Sequence, residues 1–303
     1  MNDDRPFLGV MLMLAFCVLA PLGDGIAKLL GGTVALGVLI FVRFGIQAIV
    51  LLPLVLLKGQ DLRLPKGILM WTLARTVLHI LGIGLMFTAL RYLPLADALA
   101  IAFVMPFIML LLGYFMMGEQ VGIHRMGACA VGFIGTLLVI QPNFVEVGFP
   151  ALYPLGVAVV FSLFMMVTRK IARALDPIKL QAISGIQATG ILIVLFFAFP
   201  EAVGGFSLTL PTATWGLLAA LGVLGTFAHL FMTWSLRFAP ASTVAPMQYL
   251  EIPFGTAIGW LIFSDLPNGT AAFGICITIG AGLYIIIREQ RLSKQSADAP
   301  AAV

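Results

Sequence analysis

Glu251 lies in the stretch APMQYLEIPFG, residues 245–255, an acid within an apolar run that carries prolines at 246 and 253. A carboxylate in such surroundings can bind a proton, anchor an amine, or tie two helices by a hydrogen bond. Gln248, one turn earlier, shares its helical face, whereas the direction of Tyr249 is open. His79, in RTVLHILGIG, can change charge near neutral pH or donate one hydrogen bond and accept another. Arg75 and Trp71 continue a four-residue series on the same face toward one helix end, where a long side chain can reach the boundary and tryptophan commonly anchors. Arg43 is more demanding, because its own apolar run holds no acid. Its candidate partners are Asp24, Glu251 or a carboxylate on a substrate. Asp24 has glycines on both sides and Lys28 one turn later, which suits either a local ion pair or a flexible entrance. His229 and Trp234 fall together in a later run, as candidates for an inner vestibule.

The elements that carry these residues follow from composition. Of 303 residues, 61% are hydrophobic and 10% charged, with a mean hydropathy of +1.10. Soluble domains carry about 25% charged residues, and a folded surface still has to be wetted. The chain therefore reads as an all-α integral membrane protein. Its basic residues lie in short clusters between apolar runs, which argues against a nucleic-acid face. Cys17, Cys129 and Cys276 are isolated, so no metal site or disulfide framework is indicated. No cofactor is called for, and no GxxxxGK[ST] loop is present for ATP. His79, His124 and His229 are scattered, so no enzyme constellation is expected.

About 20 residues cross the hydrocarbon as a helix. Apolar runs between turn signals give ten spans, near 7–29, 35–57, 67–90, 95–117, 122–140, 150–171, 178–199, 212–236, 241–263 and 269–288, with a cytoplasmic tail over 289–303. All but four of the 17 Lys and Arg residues fall on one side when both termini are cytoplasmic. ALRYLPLADA, from 89, matches SLRFAPASTV, from 235, at a spacing of 146 residues; Glu119 and Asp265 end the two copies, and Pro65/Trp71 recurs as Pro211/Trp215. Each copy holds five spans, an odd number, so the copies at 7–140 and 150–288 are expected to insert upside down relative to one another. Inverted repeats suit alternating access to a central site. Position 105, the repeat mate of Glu251, is methionine, so the acid exists in one half only. Pro106 and Pro253, within spans four and nine, can kink a gate. GTAIG (255–259) and GFIG (132–135) place small residues for close helix contact.

The paired segments LRYLPLADA…MPFIMLLLGYFMMGE and LRFAPASTV…EIPFGTAIGWLIFSD resemble the drug/metabolite transporter superfamily, in the branch built from two EamA domains. The resemblance covers essentially the whole chain. It implies a pocket between the halves lined mainly by spans 1, 3, 4, 6, 8 and 9, and peripheral fifth and tenth spans that support homodimers. It also implies a multi-pass protein of the bacterial inner membrane. Such relatives export aromatic and other amino acids, or carry riboflavin, S-adenosylmethionine, nucleotide-linked sugars and cationic drugs. The expectation drawn here is a secondary transporter moving amino acids outward, aromatic ones among them. The alternatives are an uptake carrier for riboflavin, S-adenosylmethionine or another metabolite, and a non-transporting membrane scaffold.

Overall fold

The computed structural model describes residues 5–64, 67–118, 122–140, 148–204, 210–264 and 269–298. Among them every regular element is helical and no strand occurs. Hydrocarbon leaves little choice, since an unpaired backbone N–H or C=O there costs several kcal/mol and a helix pairs them all within one segment. The helices are α1 (Pro6–Leu30), α2 (Leu36–Leu57), α3 (Ile68–Ala89), α4 (Leu95–Ala102), α5 (Met105–Met117), α6 (Ile123–Ile140), α7 (Leu152–Ala172), α8 (Pro177–Ala198), α9 (Thr212–Phe238), α10 (Glu251–Phe263) and α11 (Gly269–Asp298). Single turns at Phe149–Ala151, Pro200–Val203 and Ala241–Val244 lie between them, and Ala245–Leu250 is a 3₁₀ segment leading into α10. By length and composition, α1, α2, α3, the α4–α5 pair, α7, α8 and α9 can each cross a membrane; Ala272–Ile285 of α11 is a shorter apolar stretch.

Helix ends fall within two residues of the sequence expectation, with two corrections. Helical structure runs past the expected end at 288, with α11 continuing to Asp298. Spans four and nine are also broken rather than smoothly kinked. Proline withholds the N–H that would bond the carbonyl four residues back. Pro106 does so to Ala102, which is where α4 ends; Pro253 and Pro246 do so to Tyr249 and Ser242, on either side of the 3₁₀ onset.

The spacing of 146 residues seen in the sequence recurs in the structure. It relates α5 to α10 end for end, the first residue of α6 to that of α11, and the caps Pro94 and Pro240 to each other. It also relates the left-handed caps Gly118 (φ 62°) and Ser264 (φ 61°). Pro65, Glu119 and Asp265 lie outside the described residues.

Packing crosses between the two halves. α1 lies along α9 and α3 along α7, α2 pairs with α8, and α6 with α11. Exchanging the halves turns the first pair into the second and leaves the other two unchanged. Small residues set these distances as expected in α6, where a methyl at Gly135 would stand 2.6 Å from Thr278 Oγ1. In the GTAIG stretch only Gly255 is crowded, by Leu99; Gly259 has nothing within 4 Å.

Candidate functional site

A cavity lies where α1, α2, α3, α4, α7 and α9 converge, with Glu251 at the start of α10 completing the wall. Phe16, Phe87, Phe103 and Phe161 make much of its surface, and Asp24, Arg43, His229 and Glu251 supply its ionisable groups. Pockets for small organic ligands are commonly apolar with a few placed polar groups, and this wall has that composition.

Arg43 leaves α2 and lies along α9 at Gly225, where the missing side chain makes room; a methyl there would stand 2.8 Å from Nε. Its Nη2 is 3.0 Å from His229 Nδ1. A guanidinium only donates, so Nδ1 accepts and the neutral ring carries its proton on Nε2, a tautomer assigned from the partners. The Gly225 carbonyl, 3.2 Å from the same nitrogen, then receives no proton from it. Arg43 Nη1 and His229 Nε2 have no hydrogen-bond partner among the described residues. The rings of Phe16 and Phe161 stand perpendicular to that of His229, and His79 stacks on it with centroids 4.3 Å apart. His79 is fully buried between Phe44 and Phe164, with both ring nitrogens unpartnered.

Glu251 is 6% exposed, and its Oε1 has no partner. Asp24 interacts electrostatically with both Arg43 and Glu251. Among the described residues none of the three has an ion-pair partner within 4 Å. The local Asp24–Lys28 pair that the spacing allows does not form. Lys28 instead donates to the Leu93 carbonyl at 2.9 Å and sits over the Phe263 ring. For Arg43 the sequence offered Asp24, Glu251 or cargo; its direct partner in the structure is His229.

Arg75 also needs correcting. It neither snorkels to a boundary nor reaches the cavity, and its side chain is wholly buried. Nε donates to Thr168 Oγ1 at 2.8 Å, Nη1 to Ser184 Oγ at 2.7 Å and Nη2 to Thr233 Oγ1 at 3.4 Å, while the guanidinium covers the Phe164 ring at 4.7 Å. Gln181 extends this layer. It receives Gln47 Nε2 at 3.1 Å and donates to Thr233 Oγ1 at 2.8 Å and the His229 carbonyl at 2.7 Å. Sequence reasoning passed over Gln47, Thr168, Gln181, Ser184 and Thr233, whose only signal was polarity within apolar runs.

The remaining candidates do not line the cavity. Gln248 faces Met165 of α7, 3.0 Å from its sulfur. Tyr249 is buried against Phe103 and the bare face of α6 at Gly132. Trp71 is 40% exposed beneath Lys170, whose Nζ is 3.8 Å from the ring centroid. Trp234 packs on Phe231 and borders a surface recess with Arg5, Asp176 and Arg237. Pro106 and Pro253 act through the helix breaks described above.

Residues 7–141 and 148–288 each match the model of the EamA-like transporter family. The chain belongs to that family. This EamA-like protein is thus a small-molecule transporter of the membrane and not an enzyme. It is 28% identical over 233 residues to a riboflavin transporter of Rhizobium johnstonii, covering 74% of this chain and 72% of that one. It is 25% identical to an S-adenosylmethionine uptake transporter of Rickettsia prowazekii, over 96% of this chain and 97% of the relative. A pseudopaline exporter of Pseudomonas aeruginosa is 24% identical over 95% of both chains. A protein of known crystal structure superposes with a TM-score of 0.72 at 19% identity, covering 94% of this chain and 99% of the other, and so shares the fold.

Proposed function

We propose that this transporter takes up a nitrogen-rich metabolite of the S-adenosylmethionine type. The observation that carries the reading is that Asp24, Arg43 and Glu251 face one cavity without ion-pair partners among the described residues. With both acids ionised, two carboxylates and one guanidinium mirror a cargo that has two cationic centres and one carboxylate. S-adenosylmethionine has that pattern in its sulfonium, ammonium and carboxylate groups. Arg43 takes the carboxylate through Nη1, and Glu251 and Asp24 take the cations. Phe16 and Phe161 offer faces for the adenine. The match over nearly the full length of an S-adenosylmethionine uptake carrier supports this assignment over outward amino-acid transport.

Riboflavin is the second reading, favoured by the phenylalanine-rich wall and the first relative above. Purified protein is tested by thermal stabilisation and vesicle uptake with S-adenosylmethionine, riboflavin, methionine and phenylalanine. Stabilisation by S-adenosylmethionine, with uptake into vesicles, is the expected result. Stabilisation by riboflavin alone moves the assignment to a flavin, and by phenylalanine alone to the amino-acid reading.

The proposed mechanism is alternating access between two inverted five-helix repeats, 7–140 and 150–288, that together cross the inner membrane ten times with both termini in the cytoplasm. Arg91 then lies outside and Arg237 inside. Thiol labelling of Arg91→Cys and Arg237→Cys in intact cells is expected to reach the first alone; equal labelling of both defeats the inverted arrangement.

A further inference from the structure

Arg75 is a buried cation whose partners are all neutral. Three hydroxyls from three helices accept one hydrogen bond from each guanidinium nitrogen, and no carboxylate lies within 4 Å among the described residues. Hydrogen bonds to hydroxyls orient a guanidinium without neutralising it, and an uncompensated buried charge is costly to keep. Such a site is half-made: it lacks the anion.

A chain of packed side chains joins the cavity wall to that site. Arg43 touches His229 at 3.0 Å, His229 stacks on His79 at 4.3 Å, His79 meets Phe164 at 4.5 Å, and Phe164 lies under Arg75 at 4.7 Å. Along it, Arg43 Nη1, His229 Nε2 and both nitrogens of His79 are buried without partners. Native interiors seldom leave such groups unsatisfied, and each cluster of them asks for an explanation. In this strip Arg43 Nη1, the N–H of His229 and the N–H of His79 lack acceptors, and the other ring nitrogen of His79 lacks a donor. One turn beyond Arg75 lie Thr72 and then Trp71, half exposed under Lys170, so the strip points from the cavity toward a basic end of the bundle.

We propose that Arg75 is a second station for the anionic group of the cargo, reached from Arg43 past the stacked imidazoles of His229 and His79. The inference rests on the carboxylate-bearing cargo argued above. As α3 and α9 part, the cargo carboxylate leaves Arg43 and meets the guanidinium of Arg75. When that guanidinium leaves, Thr168 and Thr233 keep their bonds to the Phe164 and His229 carbonyls. The long 3.4 Å contact to Thr233 is the first to go.

Two measurements test this. In vesicle uptake, Arg75→Gln is compared with the unaltered protein on S-adenosylmethionine and on its decarboxylated form. On the first, turnover is expected to fall about tenfold or more with KM within about twofold, because initial binding belongs to Arg43. On the second, Arg75→Gln and the unaltered protein are expected to match. Equal loss on both compounds, as from a merely structural arginine, overturns the proposal, and so does unchanged turnover on both. The second measurement does not depend on cargo or on losing the arginine. Ser184→Cys, with Cys17, Cys129 and Cys276 replaced by alanine, is exposed to an anionic thiol reagent in inside-out vesicles. Labelling of this buried position is expected; its absence overturns the proposal. If the unaltered protein transports neither compound, the cargo assignment falls, and the Ser184 result still decides whether the Arg75 station opens to water.

Discussion

Replacing Gly225 with alanine tests whether the Arg43 guanidinium must lie where it does. The added methyl would stand 2.8 Å from Nε, 3.1 Å from Cζ and 3.2 Å from Nη2, so the side chain has to lift from α9 and give up its 3.0 Å bond to His229. Stability falls too, since the surrendered bond of a buried cation costs about 1.5–3 kcal/mol, and binding is therefore compared on the folded fraction. Alanine improves a helix interior by about 0.8–1 kcal/mol over glycine. Overpacking costs about 1–3 kcal/mol, at the low end where the obstructed atoms belong to a flexible side chain. Cargo affinity is expected to respond strongly, because a carboxylate then meets a guanidinium that is no longer held in place. Losing a hydrogen bond of a charged group costs about 1.5–3 kcal/mol, roughly 10- to 150-fold in affinity. Gly259→Ala is the control, since nothing lies within 4 Å of that position and only the helix gain applies. Thermal unfolding in detergent and binding of S-adenosylmethionine are measured on both variants. If Gly225→Ala binds as tightly as Gly259→Ala, the placement of Arg43 is not what recognises cargo.

Three further outcomes follow from the same contacts. Glu251→Gln is expected to weaken binding of a cationic cargo by about tenfold or more while leaving the unfolding temperature unchanged or raised, because it removes a buried charge without an ion-pair partner; a fall in both would make Glu251 a structural tie. Gly132→Ala places a methyl 2.5–2.8 Å from the Tyr249 ring and is expected to cost about 1–3 kcal/mol in unfolding experiments, with binding by the folded fraction unchanged. Gln181→Leu removes the bonds of its side-chain amide to Gln47, Thr233 and the His229 carbonyl, each of which keeps another partner, so a loss of about 1–3 kcal/mol in all is expected, against little effect for a leucine at a lipid-facing position.

Much of this architecture was legible because hydrocarbon permits few answers. Apart from the last helix, which runs ten residues past its expected end, the outer ends of the helices could be read to within two residues from apolar runs and turn residues alone, and Pro106 and Pro253 marked where two spans would fail to be straight. Arg43 and Glu251 were conspicuous as charges in apolar runs, and both do line the cavity. Their partners could not be read in the same way. The hydroxyls that hold Arg75 lie 93, 109 and 158 residues away in sequence, and serine or threonine in an apolar helix gives little warning of the bond it will make. The role of Gly225 was hidden for a related reason: its effect is the space it leaves for a side chain from another helix.

The repeat makes the chemical asymmetry plain. At a spacing of 146 residues Glu251 corresponds to Met105 and Arg75 to Leu221; Met105 and Leu221 both line the cavity, as Glu251 does. The halves therefore share backbone positions but not charge. One way out of the cavity leads past imidazoles, hydroxyls and a guanidinium, and the corresponding way through the other half meets a leucine where Arg75 would be. Such asymmetry changes which conformation is more populated at rest, because hydrogen bonds lost on opening one side are not the ones lost on opening the other. It cannot by itself drive net flux, since any free energy gained as cargo settles at Arg75 must be returned when it leaves. Accumulation against a gradient would require a second gradient, and the uneven placement of polar groups then decides only how fast each half-cycle runs.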